Sequence, residues 1–445
     1  MSATYPESLL DAVAALRSGS ISANELALQT LERARRAQQR TNCFLAIEAE
    51  TFLRGAERAD LVLADARRRG VVPVGALQGV PLAHKDMFGR GGDLVRYGSK
   101  AVLDQVSRQV ATVTARLEQA GALEVGALNM AEFALGATGH NAAYDDCRNA
   151  WNPEHISGGS SSGSGAAVAC GAAFASLGSD TGGSVRIPAS YCGVFGIRPS
   201  WGAVSLAGAC PLGPDYDTAG WFARSGTMLR RVGDVLLPPG GDGALGPLIS
   251  VAEAWANAEP ETVAALMPGL KAAEALFGPA LVTHVAPEGL DAFYEHFRCA
   301  QAEQAWTALG PWVAATNPKF GPGVKERFDT AAAMDPAKSA AGRALRRVAQ
   351  ARFHALLGGG AVMIYPTSPA PAPLLASSLA EQNAVRERTM GVTAFAGFCG
   401  LPEVTIPVGK AKGAPVGLSL VGAPGRDRAV LAAAEALAAS LGIGG

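Results

Sequence analysis

Along the first 70 residues apolar positions recur at helical spacing, through Leu26, Leu31 and Ala34, after a Ser22-to-Glu25 pair that can close a capping box. A second polar-faced helix is predicted to end at Arg67-Arg68-Arg69-Gly70, where cations meet the negative pole of the helix and read as a solvated end. From about Leu77 to Pro199 the pattern changes to short apolar runs broken by Gly and Pro, with helices such as Val106–Ala120 between them. That alternation predicts an α/β sheet. Residues 237–247, LPPGGDGALGP, read as a linker or insertion, and 249–358 as Ala-rich helix with little that looks catalytic. Strand-like runs return at Ala361–Tyr365 and Glu403–Val408, and a last amphipathic helix starts near Arg426. The expected organisation is an N-terminal helical segment, 1–70, packed on a single domain, 71–442, that carries a helical variable insertion at about 237–358 and completes one sheet from its outer segments. No internal repeat is visible.

Composition narrows the function. Of 445 residues 49% are hydrophobic and 17% charged, enough apolar surface for a large core and too little charge for a disordered chain. Lys and Arg (38) nearly cancel Asp and Glu (39), so no field draws the chain to nucleic acid or an anionic membrane, and a small uncharged or mixed ligand is expected. Glycine, at 54 residues, is about 12% of the chain against the usual roughly 7%, which signals close backbone approach somewhere. Seven scattered cysteines without CxxC spacing argue against a disulfide framework or a zinc cage and for free thiols. With no basic leader and no apolar run long enough to span a bilayer, the expected location is cytoplasmic.

Two loops concentrate the chemistry. Ser157–Gly165, SGGSSSGSG, packs backbone donors and hydroxyls ahead of a small-residue helix, Ala166–Phe174. A phosphate cradle would need a following Lys, which is missing. An α/β-hydrolase elbow with Ser161 as nucleophile matches GxSxG formally but wants a later Asp and His in suitable contexts. A flexible linker is the remaining plain reading. The second loop, Gly178–Pro188, sets Gly182-Gly183 before Ser184, so that backbone amides can converge on one point as an oxyanion hole requires. Ser184 is the better nucleophile candidate, with Asp180 and Arg186 as braces of its loop. None of the six histidines sits in a comparably constrained place. Lys85, ending the apolar run GVPLAHKD, can act as a base if burial depresses its pKa, and its neighbour His84 reads as a satisfied packing histidine.

In this order and spacing GVPLAHKD, SGGSSSGSGAAVA and GSDTGGSVRIPASYCGVFGIRPSWG resemble the amidase signature family, over about residues 75–225 and again at Tyr365–Thr367 and 400–417. The resemblance implies an α/β amidase signature fold: a large twisted mixed β-sheet flanked on both faces by helices. It implies a Ser, cis-Ser, Lys triad with Ser184 as nucleophile, Ser160 bridging after a cis Gly159–Ser160 peptide, and Lys85 as base. Amides from Thr181, Gly182 and Gly183 to Ser184 would hold the oxyanion, and the substrate would meet backbone at Ala134–Ala137, including Ala134 and Gly136. Apolar residues around 130–147 and 205–222 would line the pocket. No metal or cofactor is implied.

Within the family GVFGIRPSWGAVS, DTAGWFARSG, NPKFGPGVKERF and VTIPVGK look most like the plant indole-3-acetamide hydrolase branch, whereas the N-terminal helical segment is more typical of bacterial amidases. The implied activity is hydrolysis of a small carboxamide, aryl or indole-3-acetamide-like, to carboxylate and ammonia or amine. A glutamine-amidotransferase A-type subunit is the rival enzyme, disfavoured by residues 201–226. A non-catalytic scaffold on the same fold is the rival of another class, disfavoured by the intact triad. The expected partner is a small-molecule amide, with no nucleic acid or membrane and a homodimer left open.

Overall fold

The computed structural model describes residues 4–73, 75–91, 95–101, 109–240, 243 and 245–444. Its strands are β1 (Phe44–Ile47), β2 (Pro81–Lys85), β3 (Leu123–Leu128), β4 (Ala175–Asp180), β5 (Phe195–Arg198), β6 (Thr218–Ala223), β7 (Leu248–Val251), β8 (Leu281–Thr283), β9 (Val362–Pro366), β10 (Glu403–Ala411) and β11 (Ala414–Val421). They form one mixed sheet in the order β1-β3-β2-β4-β6-β5-β10-β11-β9-β7-β8. The helices are α1 (Leu9–Ser18), α2 (Ala23–Thr41), α3 (Ala49–Arg69), α4 (Thr112–Gln119), α5 (Ser162–Ala169), α6 (Arg186–Cys192), α7 (Gly226–Leu236), α8 (Ala252–Asn257), α9 (Pro260–Phe277), α10 (Leu290–Thr316), α11 (Val324–Ala332), α12 (Pro336–Leu357), α13 (Leu379–Cys399) and α14 (Asp427–Ser440).

Along β9, Val362 and Ile364 join the main core while Met363 and Tyr365 join a second core built around Phe293, Phe297, Phe353, Phe395 and Phe398. Successive strand side chains point to opposite faces, so this alternation means that both faces of the sheet are covered. It also explains why β2, β4, β6, β9 and β11 are buried at every position rather than at alternate ones. The capping box expected at Ser22–Glu25 is present, and α3 ends at Gly70 in the left-handed conformation.

Four expectations need adjustment. The N-terminal segment is not wholly helical, because Phe44–Ile47 pairs antiparallel with β3 and becomes the sheet's edge strand. Four residues are too few to show a periodicity. The stretch 237–358 is more than a helical insertion, since β7 and β8 extend the sheet in parallel from β9. The helix placed at Val106–Ala120 runs over Thr112–Gln119, with residues 102–108 outside the described ones, and α5 stops at Ala169 with Gly171 turning at φ 70°.

Docking of α5 depends on Gly163, whose amide donates to the Asn129 carbonyl at 2.9 Å. A Cβ there would stand 2.3 Å from the Cys43 carbonyl oxygen and 2.6 Å from the Asn129 backbone. Backbone on both sides cannot yield cheaply, so Gly163→Ala is expected to destabilise the fold by about 1–3 kcal/mol. The control is Gly359→Ala, where the added methyl meets open space and the change is expected to stay within about 0.5 kcal/mol. Urea denaturation midpoints of the two variants check this, and equal midpoints would contradict it.

Candidate active site

Strands β2 and β4 run parallel and adjacent, so their carboxyl ends present Lys85, Ser179 and Asp180 at one place in the crevice where α/β sheets bind ligands. Loop 157–161 is fastened beside them by three backbone bonds. Gly159 N–H donates to Ala137 O at 2.8 Å, the Ala131 amide to Ser160 O at 3.0 Å and the Ser161 amide to Ser184 O at 3.2 Å. The Gly159–Ser160 peptide is cis. The flexible-linker reading fails on these contacts, since Ser157 and Ser160–Ser162 are fully buried.

Lys85 is 1% exposed, and its Nζ lies 2.8 Å from both Ser160 Oγ and Ser179 Oγ. Burial drives its pKa down to about 7, against the opposing pull of the Asp180 and Asp217 carboxylates. A neutral amine keeps one lone pair and two N–H donors, so Nζ can donate to Ser179 while accepting from Ser160. Ser161 points elsewhere: its Oγ donates to Ser179 O at 3.2 Å and accepts from Ser179 N–H at 3.3 Å. Those bonds pin it to β4, whereas Ser184 is half-buried and opens into a cavity of about 260 Å³.

The loop carrying Ser184 wraps around Asp180. One carboxylate oxygen accepts from the Gly183 amide at 2.8 Å and Arg186 Nη2 at 2.8 Å; the other accepts from the Val185 amide at 3.0 Å and Arg186 Nε at 3.0 Å. Gly183 adopts φ 140°, a conformation that side chains rarely take, in making this turn. Arg186 Nη1 then reaches Glu403 at 2.7 Å, and Arg198 reaches Asp180 at 3.2 Å, all four side chains being fully buried. Burial alone would raise the Asp180 pKa, but the Arg186 and Arg198 guanidiniums outweigh it and hold the carboxyl well below its usual range. Glu403, pushed up by burial, is also tied by Ser419 at 2.6 Å and Tyr365 at 3.0 Å.

Ala134, Gly136, Thr181 and Gly182 line the same cavity as Ser184. Gly183 differs, its amide being already committed to Asp180. Of the expected pocket regions, 134–137 and Leu212 reach the cavity, but so do Tyr294, Arg298, Arg327 and Phe328 from the stretch read as chemically quiet. Ser179 belongs to the site as well, and its one signal in the sequence is that it ends an apolar run as Lys85 does. His84 is buried and shifted down by burial, yet among the described residues its Nδ1 has no hydrogen-bond partner, unlike the satisfied packing histidine expected. Among the described residues no group of three or more His, Cys, Asp or Glu is placed to hold a metal ion.

Asp180→Asn removes a charge that two buried arginines share and is expected to cost about 3–5 kcal/mol of stability. Because the folded carboxyl is depressed, its contribution is fully present above the ordinary carboxylate pKa of about 4 and is lost as pH falls below it. The difference between wild type and variant should be flat from about pH 5 to 8 and shrink in acid; a difference that grows in acid would contradict it.

The Amidase family model matches residues 25–237 and 265–431. The chain is 34% identical over 397 residues to Amidase 1 of Arabidopsis thaliana, covering 82% of this chain and 93% of that one. It is 30% identical over 485 aligned residues to the A-type subunit of the glutamyl-tRNA(Gln) amidotransferase of Anaeromyxobacter sp. (strain K), covering 98% and 96%. A solved structure described as that of an amidase superposes with a TM-score of 0.87 at 33% identity, covering 97% of this chain and 99% of that one.

Proposed function

Since the chain belongs to the amidase signature family and is a hydrolase of carbon–nitrogen amide bonds, we propose that Ser184, Ser160 and Lys85 carry the reaction on a small carboxamide. The observation that supports this most is the buried Lys85 amine, 2.8 Å from Ser160 Oγ and depressed to about 7, beside a Ser184 that opens into a cavity. In this reading neutral Lys85 accepts the Ser160 proton, and Ser160 Oγ accepts the Ser184 proton as Ser184 Oγ bonds to the amide carbon. The negative charge on the carbonyl oxygen meets the amides of Thr181, Gly182 and Ser184. One such donor is typically worth about 3 kcal/mol. The C–N bond then breaks as the proton returns through Ser160 to the leaving nitrogen, and water hydrolyses the Ser184 ester to carboxylate.

An apolar acyl group, aryl or indole-3-acetamide-like, fits the wall of Leu135, Leu212, Phe328, Ala331 and Met390. The higher identity to Amidase 1, 34% against 30% for the amidotransferase subunit that the chain also spans, supports a self-contained amidase, and the assembled Lys85–Ser160 pair speaks against a silent scaffold. Seven free cysteines support a cytoplasmic enzyme, acting as monomer or homodimer. Among the described residues no helix is long and apolar enough to cross a membrane. Residues 71–442 form the amidase domain in this reading, with 1–70 packed on it.

A fluorophosphonate should label Ser184, and Ser184→Ala should abolish both labelling and hydrolysis. Peptide mapping that finds the adduct on Ser161 would overturn the assignment. Below pH about 7 Lys85 is protonated and cannot accept, so kcat/KM should rise through a step near 7 and level above it. A profile flat from pH 5 to 9 would contradict the base.

A further inference from the structure

Three arginines line the cavity into which Ser184 opens: Arg298, Arg327 and Arg386. Their charges are not equally met. Arg298 is forked onto Glu295, with Nε and Nη2 donating at 2.8 and 2.7 Å, so its charge is spent. Arg327 donates Nη1 to the Leu135 carbonyl, and among the described residues no carboxylate pairs with it. Among the described residues Arg386 has only a long contact to Tyr294 Oη at 3.5 Å and another to Glu387 at 3.4 Å, whose side chain is 61% exposed. The Arg386 Nε is buried with no hydrogen-bond partner among the described residues. Burial and then the nearby Arg386 push the Arg327 pKa down, against smaller opposing pulls from Tyr294 and Glu326.

Resting on the amide-hydrolase reading above, we propose that this cavity takes a carboxamide whose acyl chain ends in a carboxylate, held by Arg327 and Arg386. Two guanidiniums kept close in a partly desolvated cavity repel one another, and an anion between them removes that cost and satisfies the orphaned Nε. The chain is otherwise near neutrality, so the local excess is a feature of this cavity rather than of the surface at large. The apolar wall that shares the cavity, Leu135, Leu212, Phe328 and Met390 among it, suits the hydrocarbon spacer between the two polar ends. For a primary amide the carboxylate belongs to the acyl side, because only ammonia leaves. The ligand class is therefore the monoamides of short dicarboxylic acids and carboxyaryl acetamides, small enough for about 260 Å³.

The test compares kcat/KM for adipic acid monoamide against hexanamide, and for 4-carboxyphenylacetamide against 4-methylphenylacetamide. Wild type should prefer the carboxylated member of a pair by about 30-fold, the range of a charge-assisted hydrogen-bond pair. That ratio should fall toward one in Arg386→Gln and in Arg327→Gln. A wild-type preference for the neutral members overturns the proposal while leaving the amidase reading intact. If neither pair is turned over, calorimetry with Ser184→Ala decides it separately: tighter binding of adipic acid monoamide than of hexanamide supports the anion site, and equal binding overturns it.

Discussion

A lysine amine taken wholly out of water is the constraint on which the site depends. Desolvation would be ruinous for an ammonium without a carboxylate against it, and Lys85 has two serine hydroxyls instead, at 2.8 Å each. The result is an amine shifted to about 7, able to hold or release a proton near neutrality. Everything around it serves that burial. Parallel β2 and β4 bring the lysine and Ser179 together at their carboxyl ends, and α5 closes over them through a glycine contact that admits no methyl.

The same end of β4 carries the opposite solution. Asp180 stays ionised in a fully buried place because Arg186, Arg198 and the Gly183 and Val185 amides converge on it, with Glu403 on the other side of the Arg186 guanidinium. One residue apart, Ser179 meets an amine that can lose its charge near neutrality and Asp180 anchors a charge network. The network fixes the turn that presents Ser184, and in the proposed relay the amine supplies a place for its proton. Stability and chemistry are thus built on neighbouring residues but through different physics.

Much of this is legible in the sequence because it lies in contiguous motifs. Lys85 at the end of an apolar run, the two Gly/Ser loops and the bracing pair Asp180–Arg186 each announce themselves within a dozen residues. What is not legible depends on chain segments far apart. Glu403 and Arg198 join the network from β10 and β5, and Arg327 and Arg386 enter the cavity from α11 and α13 through helices that look like plain amphipathic surface. Short edge strands escape for another reason: Phe44–Ile47 and Leu281–Thr283 are too brief for periodicity, and only their partners in the sheet define them.

The account stands most directly on the protonation state of one amine. Carbon-13 NMR of the protein with labelled lysine side chains, with the Lys85 Cε signal identified by its loss in Lys85→Met, would follow that state through a pH titration. A midpoint near 7, well below those of the surface lysines, is the predicted result. A midpoint near the ordinary lysine value of about 10.4 would mean a permanently charged Lys85 and would contradict the proton relay at its first step.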